Sequence, residues 1–133
     1  MNMKKSFLLF LATLFVAGLF AANPDPAKKI EVYYFHFTRR CMTCNNVEKV
    51  SKNSLESLYP EKMKSGQITF QSINLDEKAG EAIGAKYKIE GQSLIVISAG
   101  KSVDLTEKGF LYANDSPDKL KAEIKKAVEG LSK

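Results

Sequence analysis

Cys41 and Cys44 are the only two cysteines of the chain, and two residues separate them. A pair at this spacing has three uses: a structural bridge, exchange with other disulfides, or a grip on a soft metal. A bridge between Cys41 and Cys44 closes a very small loop. The chain-entropy gain from a disulfide grows with loop length, so a staple here stabilises little. Exchange fits the flanks better. The aromatic run Tyr33-Tyr34-Phe35-His36-Phe37 stops at Thr38, Arg39 and Arg40 follow, and then comes Cys41-Met42-Thr43-Cys44. Beyond Cys44 the apolar residues take helical spacing. Strand, short turn, Cys-x-x-Cys, helix is the layout of a thiol–disulfide site.

The elements that must hold this pair can be read in order. Ile30–Phe37 is a strand, apolar at both parities from Val32 to Phe35, as for a strand buried on both faces. His36, the only histidine, shares the phase of Val32 and Tyr34. A helix runs from Cys44 to about Tyr59, with Val47, Val50, Ser54 and Leu58 in one stripe and Leu55 beside it. Pro60 perturbs it, Glu61 to Lys64 form a last turn or a short second helix, and Ser65-Gly66 is a stop.

Gln67–Leu75 is a second strand and Glu77–Tyr87 a short helix, in which Gly80 and Gly84 argue against regularity. Leu94–Ser98 and Ser102–Leu105 make a hairpin around Ala99-Gly100-Lys101. Gly109–Ala113 is expected as an apolar connection over the sheet edge. Ser116 as N-cap, Pro117 at the first helical position and Asp118 in the first turn open the last helix. Its buried face is Leu120, Ile124, Ala127, Val128 and Leu131. The order is β-α-β-α-β-β-α. It implies an α/β fold: a central four-stranded mixed sheet with a right-handed parallel crossover and helices on both faces.

The 133 residues suffice for one domain plus a targeting segment. The formal charge is +5, but the lysines are interspersed with Asp and Glu. That is a solvated surface rather than a nucleic-acid patch, and no nucleic-acid partner is expected. Lys4 and Lys5 precede an uncharged run from Phe7 to Ala22, and no acid appears before Asp25. The run is shorter than the roughly 20 residues of a membrane span. Residues 1–22 therefore read as a secretory signal cut near Ala21 or Ala22, in preference to an uncleaved anchor. Residues 23–29 are a proline-containing flexible lead-in, and 30–133 are the folded domain. The expected location is extracytoplasmic, secreted or periplasmic.

The chain resembles the thioredoxin superfamily over nearly all of the stretch from Ile30 to Leu131. Beside the Cys-x-x-Cys, Asn74-Leu75-Asp76 matches the family's Asn-x-Asp at the end of the next strand. Lys86-Tyr87-Lys88-Ile89-Glu90-Gly91 is similar to its Lys-Tyr-x-Ile-x-Gly, followed by an apolar strand and the turn Gly100-Lys101. The extra N-terminal strand and helix of thioredoxin itself are missing. Three departures stand out. The family's cis-proline facing the cysteines falls on Ser93, or on Gln92 or Leu94 if the register slips. A cis bond without proline costs about 3 kcal/mol, so a trans Gln92–Ser93 bond is expected. The acid that many members bury six residues before the first cysteine is here Phe35. The tryptophan before that cysteine is replaced by Arg39-Arg40.

The resemblance implies an exported thiol–disulfide oxidoreductase, working in either direction through a reversible Cys41–Cys44 disulfide. Cys41, at the helix N-terminus, would be the attacking thiol and Cys44 the resolving one. Arg39 and Arg40 would add positive charge, Met42 and Thr43 would help set the potential, and His36 or Ser93 could take over from the missing acid. No cofactor is implied. The partners would be a protein or small-molecule disulfide or dithiol and, outside the cytosol, a membrane thiol relay; a monomer is expected. Two alternatives stay open: a thioredoxin-fold protein holding Cu(I), Zn or a metalloid through Cys41 and Cys44, and a non-catalytic thioredoxin-like binding module.

Overall fold

The computed structural model describes residues 29–133. The expected signal, residues 1–22, and all of the lead-in but Lys29 lie outside the described residues. The described residues form four strands and five helices in order: β1 (Ile30–His36), α1 (Met42–Leu58), α2 (Pro60–Ser65), β2 (Ile68–Asn74), α3 (Lys78–Lys86), β3 (Ser93–Ser98), β4 (Lys101–Asp104), α4 (Thr106–Tyr112) and α5 (Pro117–Leu131). The sheet runs β2-β1-β3-β4. β1 pairs parallel with β2 and antiparallel with β3, and β3 pairs antiparallel with β4. The mixed α/β sheet expected from the sequence is present, with β1 at its centre.

Helices cover both faces, which is why β1 is apolar at both parities. On one face Val32 and Tyr34 of β1 and Leu94 and Val96 of β3 pack with Val47 and Leu55 of α1 and Leu120, Ile124 and Val128 of α5. On the other, Tyr33, Phe35, Ile73, Ile95 and Ile97 lie with the half-buried Leu75, Ile83, Tyr87 and Ile89. Burying each large aliphatic side chain contributes roughly 1.5–3 kcal/mol, so the two clusters dominate stability.

The stripe of α1 differs from the expectation in detail. Ser51 is fully buried and Leu58 lies outside the core. Pro60 opens a separate helix α2, where its missing N–H costs nothing, and Gly66 caps it at φ 81°. Gly80 and Gly84 do not disrupt α3. They are its buried contact points, and a Cβ at Gly80 would overlap the carbonyl oxygen of Asn74.

The expected apolar connection at Gly109–Ala113 is instead part of helix α4 and its cap, packed on α1, α5 and β3. Gly109 permits this approach, since a Cβ there would sit 3.0 Å from a methyl of Val47. Ser116 stands at the N-cap of α5 with Pro117 next to it, but its hydroxyl makes no capping bond. The hairpin turn is Ala99-Gly100, both at positive φ (50° and 77°), the two-residue geometry that matches strand twist.

Candidate functional site

The cysteines lie where β1 ends and α1 begins. Helix α1 starts at Met42, two residues before the expected Cys44, and Cys41 is its N-cap residue. The Cys41 Sγ accepts the backbone N–H of Cys44 at 3.3 Å, as a serine hydroxyl would at an N-cap. Both thiols are free, so the structure is that of the dithiol form. Cys41 is exposed, whereas Cys44, one turn into the helix, is 2% exposed. This difference follows from helix geometry: the cap residue sits outside the cylinder, and position 44 falls on the stripe that continues through Val47.

The two sulfurs are tuned in opposite directions. The Cys41 thiol is held below its ordinary value, first by a hydrogen bond from the Cys44 thiol and then by the N–H groups of the first turn. Burial pushes the Cys44 thiol up, and its hydrogen bond to Cys41 adds to this. The expected electrostatic help of the arginines takes another form. Arg40 is ion-paired with Glu48 of α1, and Arg39 is exposed on the approach. The Cys44 thiol and the first-turn N–H groups, not the arginine pair, supply the depression at Cys41.

Thr38, Arg39, Arg40, Cys41, Cys44 and Gln92 line an open depression of about 560 Å³. A tighter groove of about 330 Å³ lies elsewhere, between β4, α4 and α5. It holds no thiol. Met42 projects beside Cys41 and is 77% exposed. Thr43 is turned to Asn114, whose side-chain nitrogen donates to the Thr43 hydroxyl at 2.8 Å and whose oxygen accepts from Asn46 at 2.8 Å. The loop after α4 is thereby fastened to the first turn of α1. Nothing in the sequence marks Asn114, which is 71 residues from Thr43.

The Asn74-Leu75-Asp76 motif has a clear part in the site. Asp76 accepts the Thr38 backbone N–H at 2.7 Å, and Asn74 donates to the Thr38 hydroxyl at 3.0 Å. Together they fix the loop that carries the chain from β1 to Cys41. Thr38 draws the Asp76 carboxyl below its usual range, through its N–H first and its hydroxyl second.

Three expectations about the interior of the site change. Ser93 lies on the phase of Ile95 and Ile97, the α3 face, and its hydroxyl donates to the Gly91 carbonyl at 2.9 Å. Gln92 lines the depression in its place. No cis peptide bond occurs among the described residues, so the Gln92–Ser93 bond is trans. Phe35, the position counted for the missing acid, also lies on the α3 face. The strand residue on the cysteine side is Tyr34, fully buried, with its hydroxyl on Gln92 at 3.3 Å. Burial is the main reason its phenol is held far above the ordinary range, and the neighbouring Cys44 adds to it. His36 is buried against the Tyr34 ring, 6.0 Å between centroids, and its Nδ1 donates to the Phe37 carbonyl at 2.9 Å. It does not line the depression. Among the described residues no group of three or more His, Cys, Asp or Glu side chains converges as a metal site, and no helix is long and apolar enough to cross a membrane.

No family model matches the chain, and no curated protein does. Solved structures do. A malarial protein is 19% identical with a TM-score of 0.49, over 74% of this chain and 97% of that one. The thioredoxin of Fasciola hepatica is 21% identical with a TM-score of 0.46, over 77% and 84%. The zinc-bound form of human ERp44 is 12% identical with a TM-score of 0.51. That match covers 76% of this chain but only 27% of ERp44. At such identities the likeness speaks for the fold alone. The sheet order β2-β1-β3-β4, the Cys-x-x-Cys at the head of α1 and the likeness to ERp44 define a thioredoxin-like α/β fold.

Proposed function

We propose that the domain is a thiol–disulfide oxidoreductase. The observation that carries this reading is the asymmetry of the pair: an exposed Cys41 favoured as thiolate beside a buried Cys44 favoured as thiol. The Cys41 thiolate attacks one sulfur of a substrate disulfide. A Cys41–substrate disulfide forms, and the other substrate sulfur leaves as a thiolate that takes up a proton. Cys44 then loses its proton and attacks the Cys41 sulfur. The Cys41–Cys44 disulfide forms, the substrate leaves as its second thiolate, and the substrate has gained the two electrons the dithiol lost. The same steps in reverse oxidise a dithiol.

The basic, apolar start of the sequence, Lys4-Lys5 followed by Phe7 to Ala22, supports an extracytoplasmic setting within this proposal. There a soluble nicotinamide supply is absent, and a membrane thiol relay would regenerate the active form.

Trapping tests the reading. With Cys44→Ser, a mixed disulfide with a small disulfide should accumulate on Cys41; with Cys41→Ser, turnover should vanish. A redox titration then sets the direction. A midpoint near about −270 mV marks a reductant, and one near about −120 mV an oxidant. Absence of a trapped adduct, with no dithiol–disulfide transition across that range, would overturn the proposal.

A further inference from the structure

Cys44 presents a physical difficulty that the cysteine pair alone does not resolve. To displace a substrate from Cys41 it must become a thiolate, yet it is 2% exposed and burial works against the charge. At that exposure little water reaches the sulfur to supply the donors that normally stabilise its anion. A buried anion needs a hydrogen-bond donor close by, aimed at it and held there.

The side chain in that position is Gln92. It lines the same depression as both cysteines, in the segment that leads into β3. An amide can turn either end toward a sulfur, and only its nitrogen end stabilises an anion. Tyr34 decides the orientation. Its hydroxyl donates to the Gln92 Oε1 at 3.3 Å, which occupies the oxygen end and leaves the nitrogen as the donor for Cys44. The Gln92 side chain shares the depression with Cys44 and acts on its thiol in the sense that favours the thiolate, against the larger effect of burial. Tyr34 is itself fully buried in β1, under α1, so the phenol cannot swing away to solvent.

The other charged and titratable groups around Tyr34 and Cys44 are few. Arg40 and Glu48 are paired with each other, so their effects on the Tyr34 phenol oppose one another. Cys41 disfavours a second negative charge, and once it is bound to substrate that opposition disappears. His36 stacks on Tyr34 with its Nδ1 engaged by the Phe37 carbonyl.

We propose that Gln92, oriented by the Tyr34 hydroxyl, donates its side-chain amide to the Cys44 sulfur and so promotes the step in which Cys44 displaces substrate from Cys41. Gln92 touches the reacting sulfur; Tyr34 is a positioning residue that acts through it. The role of the pair in resolution rests on the oxidoreductase reading. The hydrogen-bond relay to Cys44 does not.

Two measurements on the full chain separate these. The first is the pH dependence of Cys44 alkylation by iodoacetamide in a Cys41→Ser background. Adding Tyr34→Phe should raise the midpoint by about one pH unit, as expected for losing an oriented hydrogen bond to a charged group. Gln92→Glu, which keeps the acceptor for Tyr34 but removes the donor, should raise it at least as far. Tyr34→Phe added to Gln92→Met should shift it no further than Gln92→Met alone, because the two act as one unit.

The second uses a chromogenic aromatic disulfide that leaves a thionitrobenzoate adduct on Cys41. Release of that adduct by Cys44 should be about tenfold slower in Tyr34→Phe below the midpoint, while the initial attack by Cys41 is unchanged. Tyr34→Phe preserves the ring and its packing, so a purely structural role would leave the alkylation midpoint and the release rate in place. Wild-type midpoints in both Tyr34→Phe and Gln92→Glu would overturn the relay. Shifted alkylation midpoints in a protein that forms no adduct would overturn the oxidoreductase reading and leave the relay standing.

Discussion

The two faces of β1 carry adjacent aromatic residues with different tasks. Tyr33 and Phe35 point to the α3 side, where Tyr33 stacks on Phe35 at 5.7 Å between centroids and packs against Tyr87 at 5.3 Å. Tyr34 and His36 point to the α1 side, where the phenol bonds Gln92 and the imidazole bonds a backbone carbonyl. One face is ordinary apolar packing. The other is an apolar core too, but at the cysteine end it carries two hydrogen-bonded polar groups, the Tyr34 phenol and the His36 imidazole. The lesson is that chemistry here follows strand phase. A residue's distance along the chain from Cys41 matters less than which side of β1 it occupies, because successive side chains leave a strand in opposite directions.

The largest expected effect separates the faces by stability. Phe35→Ala leaves a cavity under α3 and should cost about 3–5 kcal/mol in denaturant unfolding. The milder Phe35→Leu should cost about 1 kcal/mol. Neither should move the pH midpoint of Cys44 alkylation in the Cys41→Ser background. If Phe35→Leu shifts a thiol midpoint as far as Tyr34→Phe does, the division between a packing face and a chemical face fails.

A smaller effect sharpens the comparison where the faces meet, at the loop from β1 to α1. The Asp76 carboxyl is depressed by the Thr38 N–H and hydroxyl. A depressed acid contributes stability that is fully present above its unfolded pKa, about 3.9, and that is lost as pH falls through the lower folded value. Asp76→Asn should therefore be less stable than the natural protein above about pH 4, and the gap should narrow as the medium is acidified. A gap that is constant with pH would show that the carboxylate charge has no part in holding Thr38.

The smallest effect lies at the far end of the sheet and serves as a control for both faces. Ala99 sits at φ 50°, a conformation that costs a residue with a Cβ about 1 kcal/mol or more. Ala99→Gly removes that cost but adds freedom to the unfolded chain, for a net gain of about 0.5 kcal/mol. Thiol reactivity should not change. A lower melting temperature in Ala99→Gly would contradict the left-handed turn.

Much of the fold was legible because its signals are local. The Ser65-Gly66 stop, the Gly100-Lys101 turn and the Pro117 helix start each depend on the conformational limits of one or two residues, and each stands within a residue or two of its expected place. Helix α4 was not legible. Thr106–Tyr112 is short and contains Gly109, and its helical state depends on packing against α1 and α5, which the local sequence does not encode. Ser51 escaped for a similar reason: a serine on a buried stripe carries no hydrophobic signal.

The site divides in the same way. By itself the sequence determined that two thiols open a helix after a doubly buried strand, and that Cys41 precedes Cys44 into that helix. These follow from spacing and residue type. It did not determine which strand aromatic meets Cys44, since β1 is apolar at both parities and offers no alternation from which to read a phase. Counting back from Cys41 points to Phe35, but the length of the turn, not the count, sets which parity lies beneath α1. The same holds across the gap between Gln92 and Ser93, where a shift of one residue exchanges the face that looks at the cysteines. Only the assembled sheet, with β1 registered against β3 and α1 laid across them, put Tyr34 and Gln92 under the sulfurs and turned Phe35 and Ser93 away.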